Sequence, residues 1–133
     1  MTSKVTYLGH LRTESVHVKS NNAFITDAPI DNNGKGEAFS PTDTVATALA
    51  SCMLTVMGIK AKDMALDMAG TTAEVKKTMT SNPRRISKIE VILNFPFTTD
   101  DKTKAILERT AYTCPVHYSL HPDIEKDISF NWK

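Results

Sequence analysis

Two cysteines carry most of the chemistry this sequence offers. Cys52 lies in Ala48-Leu49-Ala50-Ser51-Cys52-Met53-Leu54, and Cys114 in Thr113-Cys114-Pro115-Val116-His117. A thiol is a nucleophile only as the thiolate, which needs a nearby cation, a helix N-terminus or a metal. Without such help a free cysteine is a small buried hydrophobe. Both readings stand for both residues. Cys114 precedes a proline and can cap a following turn of helix, where N–H dipoles favour a thiolate. Cys52 lies several turns into a helix, beyond the reach of that helix's dipole, so a cation from elsewhere in the fold has to activate it.

The basic residues that could supply that cation are singular rather than clustered. Arg12 opens a strand in Leu11-Arg12-Thr13-Glu14; its plain alternative is a solvated strand charge. Arg84-Arg85 follow Asn82-Pro83 and read as a surface pair in a turn. His117 and His121 give Cys-x2-His-x3-His with Cys114. Cys and His are zinc ligands, but structural zinc sites normally show two separated ligand pairs. Gly34-Lys35-Gly36-Glu37 has neither the length nor the following Ser/Thr of a phosphate-binding loop. No Ser/His/Asp constellation can be read, and no cofactor is expected.

The elements that must position these residues are also visible. Ser40 suits a helix N-cap, Pro41 the first helical position and Asp43 the first turn, where the dipole favours a carboxylate. That helix is expected to run to about Lys62. Around Cys52 one face carries Val45, Ala48, Leu49, Val56 and Ile59; the other carries Ala46, Ala50, Met53, Leu54 and Met57. A helix apolar all round is buried on all sides, which makes it central. Ala48, Ala50, Ser51 and Gly58 are small enough for a second helix, such as a partner's copy, to approach closely.

Upstream, Val16 and Val18 alternate with polar residues, and Asn21-Asn22 suits a tight hairpin before Ala23-Phe24-Ile25. Residues 27–40 read as a long loop, and long ordered loops are often functional. Downstream, Ala73 and Val75 alternate over 71–78, and Asn82-Pro83 marks a turn. Ile89, Val91, Leu93, Phe95 and Phe97 give the cleanest alternation, with Pro96 marking an edge or a strand end. Thr99-Asp100-Asp101 starts a second helix reaching about Thr113, and Ile128, Phe130 and Trp132 form a last strand. The order β-β-β-α-β-β-α-β is α+β rather than doubly wound.

Composition narrows the function classes. The 133 residues suit one domain, 1–133, with a sizeable core. Lys and Arg number 16 against 15 Asp and Glu, so the chain lacks the basic footprint of a nucleic-acid or anionic-membrane binder. Met1–Tyr7 has no signal-peptide core. The most apolar run, Val45–Ile59, falls short of the ~18 apolar residues of a membrane span. A cytoplasmic protein is expected, where a disulfide is transient rather than structural.

Taken in order along the chain, Gly9-His10-Leu11-Arg12, Phe39-Ser40-Pro41-Thr42-Asp43 with the small-residue helix to Cys52, and Thr113-Cys114-Pro115-Val116-His117-Tyr118-Ser119-Leu120 resemble the OsmC/Ohr superfamily. These are the osmotically inducible protein C and organic hydroperoxide resistance proteins. The similarity spans the whole chain. It implies an α+β fold built as an intertwined homodimer, with antiparallel sheets wrapped around central helices and sites at the subunit interface.

The resemblance also implies thiol-dependent peroxidase chemistry in oxidative-stress defence. Cys52 matches the peroxidatic cysteine, Cys114 the resolving cysteine and Arg12 the arginine that stabilises the thiolate. The organic-hydroperoxide branch places a carboxylate directly after the proline. Here Thr42 stands there and Asp43 follows, as in other branches; Glu37 is the second candidate to hold Arg12. The implied partners are a hydroperoxide, an external dithiol and a second copy of the chain. Thr42 also motivates an alternative, a binding or regulatory dimer with weak catalysis. Thiol transfer to protein disulfides is disfavoured by the lack of Cys-x-x-Cys, and zinc binding at Cys114, His117 and His121 is the remaining alternative.

Overall fold

Alternating apolar residues become two three-stranded sheets, one on each side of a long helix in the chain order. The computed structural model describes residues 1–133, in two compact units, Met1–Val45 and Ala46–Lys133.

The N-terminal unit is an antiparallel meander of β1 (Ser3–Gly9), β2 (Arg12–His17) and β3 (Ala23–Asp27). Asn21, at φ 62°, turns the second hairpin, as asparagine can. The His17 amide donates to Asn22 at 2.8 Å, and counting back from that pair sets Arg12 opposite Asp27. Next to them the Thr13 and Thr26 hydroxyls are hydrogen-bonded across the strands. Val5, Tyr7, Leu8 and Phe24 remain between 48% and 64% exposed, so the sheet does not bury its apolar side chains within this chain. A 3-10 turn at Ile30–Asn32 and bonds from the Gly34 amide to Pro29 and the Gly36 amide to Ala28 shape the loop after β3. Gly34 is obligatory: a Cβ there would sit 1.7 Å from the Ala28 carbonyl oxygen.

Helix α1 spans Pro41–Asp63, close to the predicted bounds. Ser40 and Asp43 form a reciprocal cap, each backbone N–H donating to the other's side chain at 3.0 Å. In the C-terminal unit, β4 (Thr72–Thr80) pairs antiparallel with β5 (Arg85–Asn94), and β6 (Glu125–Asn131) joins β5 in parallel. This sheet is therefore mixed rather than wholly antiparallel. The chain returns from β5 to β6 through α2 (Asp101–Ala111) and α3 (Pro115–Ser119), and such a crossover permits parallel pairing.

The core follows the periodicities. Ala46, Leu49, Ala50, Met53, Met57 and Ala61 form one stripe of α1, packed in a single cluster with Ile89, Val91 and Leu93 of β5 and Leu107 and Ala111 of α2. Two expectations change here. The 23-residue helix outruns its apolar run and by length and composition alone could cross a membrane, but one stripe of it is committed to this core. Nor is α1 buried on all sides: Val45 is 40% exposed and Ile59 62%.

Leu93 is fully buried, whereas its neighbour Ile92 on the opposite sheet face is 38% exposed. Leu93→Ala should cost about 2–5 kcal/mol, a core truncation with its cavity, and Ile92→Ala clearly less. Urea denaturation of the two variants checks this; equal losses would contradict the register.

Candidate functional site

Two helix ends and one helix middle bring the sulfur atoms together. Cys52 sits beside the buried stripe of α1, one residue before Met53, and is half-buried. Cys114 is fully buried where α2 ends, three residues after Ala111, which anchors that helix in the core. Both thiols are free, and they lie close enough for Cys52 to influence the ionisation of Cys114. The core therefore brings together the two cysteines singled out by the sequence, although they lie on separate elements.

Cys114 is the N-cap of α3, with Pro115 in the first position. Its Sγ accepts the His117 backbone N–H at 3.2 Å. Burial pushes the Cys114 thiol above its ordinary value; the His117 amide pulls it down, the neighbouring Cys52 sulfur raises it further, and the net direction is up. Cys114 is thus held as a neutral thiol at neutral pH. The N-cap position does not make it a thiolate, because desolvation outweighs the amide contacts.

His117 packs edge-on against Tyr112, its Nδ1 buried without a hydrogen-bond partner. Burial, and then Lys126, lower its basicity. His121 is exposed, and its Nδ1 accepts the Asp123 amide at 3.0 Å. No group of three His, Cys, Asp or Glu side chains is assembled that could hold a metal. Arg85 closes its own turn by donating to the carbonyls of Ser81 and Pro83.

The remaining predicted residues gather in the N-terminal unit. Arg12 Nη2 lies 3.0 Å from Glu37 Oε2 and 3.5 Å from Asp27 Oδ2. The same Asp27 oxygen accepts the Glu37 backbone N–H at 3.0 Å. Asp43 serves the helix cap with Ser40, so of the two candidate carboxylates Glu37 is the one at the guanidinium. Asp27 is a further carboxylate at the guanidinium, at a position the sequence reading places at the start of a loop. The signal was present: once Asn21-Asn22 turns the hairpin, cross-strand register pairs Arg12 with Asp27.

The lowered His117 gives a pH dependence with a definite sign. The unfolded chain, near the ordinary value of about 6.5, takes the proton before the folded chain does. Stability is therefore full above that value and is lost as pH falls through the lower folded value. Denaturation at pH 7 and pH 5.5 should show a smaller loss in His117→Gln than in the wild type. Identical losses would place the acid sensitivity elsewhere.

Comparison with known proteins bears on the family and the fold. Residues 34–129 match the family of OsmC-like proteins. A crystal structure from Psychrobacter arcticus 273-4, of a protein named for osmotic-stress induction and a detoxification response, is 59% identical. The match covers 98% of this chain and 95% of that one, with a TM-score of 0.95. An organic hydroperoxide resistance protein OsmC from Legionella pneumophila shares the fold at 12% identity (98% and 97% covered, TM-score 0.76). So does an organic hydroperoxide resistance protein from Elizabethkingia anophelis, solved with thiocyanate bound, at 16% identity (100% and 97% covered, TM-score 0.76). A search of curated proteins finds no match. On the extent of the family match and the close relative, the chain belongs to the OsmC-like family.

Proposed function

We propose that this protein is a thiol-dependent peroxidase that reduces organic hydroperoxides. Family membership supports a peroxide-related role, and two of the structures with this fold bear the name of organic hydroperoxide resistance. The observation that carries the finer reading is the pairing of two free thiols, Cys52 half-buried and Cys114 fully buried, within side-chain reach.

The Cys52 thiolate attacks the distal oxygen of the hydroperoxide, and the O–O bond breaks. The leaving alkoxide takes a proton and departs as alcohol. Cys52 is oxidised by two electrons to the sulfenic acid while the peroxide is reduced. Cys114 then attacks the Cys52 sulfur, forming the disulfide and releasing water. An external dithiol restores both thiols by exchange and leaves as its own disulfide. Arg12, held by Glu37, is proposed to favour the thiolate and orient the peroxide. Asp43 is proposed to support the site indirectly, by fixing the start of the helix that carries Cys52. A local disulfide made and broken in each cycle suits a reducing compartment.

We also propose that a second copy completes the structure. The uncovered side chains of the first sheet and the exposed Ile59 of α1 support an intertwined homodimer. Light scattering at micromolar concentration should give twice the chain mass; a stable monomer would remove this reading.

The central test is stopped-flow reaction of the reduced protein with an organic hydroperoxide and with hydrogen peroxide. Wild type should react rapidly and form an intramolecular disulfide. Cys52→Ser should lose the reaction. Cys114→Ser should keep the first step, accumulate sulfenic acid and fail to form the disulfide. If Cys52→Ser consumes peroxide like the wild type, the peroxidase reading is wrong. A wild type that binds hydroperoxide without thiol loss would instead favour the regulatory-dimer alternative.

A further inference from the structure

We propose that Asp27 is a positioning residue of the reaction, acting through Arg12; the proposal rests on the peroxidase reading above. Two carboxylates meet the guanidinium, and they differ in kind. Glu37 is the nearer, but its side chain is 58% exposed. An exposed pair is screened by water and salt, and a long side chain loses rotamer freedom to hold it. Asp27 is 1% exposed, and its side chain is short. Its backbone is pinned on both sides: the Asp27 amide donates to Phe39 at 3.0 Å and the Ala28 amide to Leu11 at 3.2 Å.

Asp27 also governs Glu37. Asp27 Oδ2 accepts the Glu37 backbone N–H at 3.0 Å, so the buried carboxylate fixes the loop residue that supplies the second contact. One oxygen thus sets the guanidinium directly and sets its other partner through the main chain. Both Arg12 contacts use Nη2, leaving the Nη1 and Nε N–H groups without a bond in this chain. Those N–H groups are the donors of the rigid guanidinium still available to an anionic or oxygen partner. The other Asp27 oxygen, Oδ1, is buried with no hydrogen-bond partner. A buried, unpartnered carboxylate oxygen is costly, and such exceptions call for an explanation. Anchoring a working arginine is one.

The test is a double-mutant cycle read by stopped-flow peroxide consumption, with thermal unfolding of each variant as the fold control. Asp27→Asn keeps the shape and an acceptor for the Glu37 amide but removes the charge. It should slow the reaction by about 10- to 100-fold, the scale of a misplaced catalytic group. In the Arg12→Ala background the same substitution should slow it no further, because residues acting as a unit are not additive. Asp27→Glu, which restores a carboxylate, should recover part of the rate, and Glu37→Gln should cost less than Asp27→Asn. Two results would overturn the proposal: a wild-type rate in Asp27→Asn, or the same slowing factor with and without Arg12, as a purely structural role would give. If Asp27→Asn does not fold, Asp27→Ser is scored in the same cycle. Failure of the underlying reading looks different. There, peroxide consumption by the wild type would be absent or would survive Cys52→Ser, and the proposal would fall with it.

Discussion

The constraint on which the C-terminal unit depends is the packing of one stripe of α1 against β5. Leu49, Met53 and Met57 are fully buried, as are Ile89, Val91 and Leu93. Burying side chains of this kind contributes roughly 1.5–3 kcal/mol each, so rotating the helix by one residue would expose several at once. Cys52 precedes Met53, and its half-buried position follows from that fixed rotation. Cys114 is placed by the same core from the other direction, since α2 is held through Leu107 and Ala111 and ends beside them. The sulfur atoms meet because their two elements share a core.

Shared packing still leaves the thiols in different environments. Cys114 is sealed and its thiol is raised by burial; Cys52 remains partly open. Under the peroxidase reading this division suits their roles. The attacking sulfur must be reached by the peroxide. The resolving sulfur is best kept neutral and out of the peroxide's path until a sulfenic acid forms beside it. The depth of Cys114 in the fold does both.

The elements were largely legible because their signals are local. Ser40 and Asp43 cap α1, Asp100 caps α2 through the Thr103 amide at 2.7 Å, and alternation marks β5. The alternation at 95–97 overran the strand. Pro96 has no N–H to continue a ladder, so β5 ends at Asn94, and the Phe95 ring instead stacks on Trp132 at 3.7 Å. The covering of α1 was illegible in principle: periodicity shows which faces are apolar, not what lies against them. Among site residues, the cysteines and Arg12 stand in recognisable motifs. Asp27 was hidden by being read as loop, though the hairpin register implied it. Glu37 was a candidate through the resemblance, but no local signal places it, because its contact with Arg12 depends on the loop after β3 folding back so that the Glu37 amide reaches Asp27.

The two residue groups are held by different physics. The cysteines are brought together by apolar packing, which depends little on salt. The Arg12 group is held by strand pairing, by amides at Asp27, Ala28 and Glu37, and by charge. Within that group the contributions separate again. Added salt screens the exposed Glu37 contact first, because exposed charges are the ones the ionic atmosphere reaches. The contact to buried Asp27 is screened much less, and the amide bonds hardly at all. As ionic strength rises, Arg12 therefore comes to depend more heavily on the one carboxylate that the fold itself fixes in place.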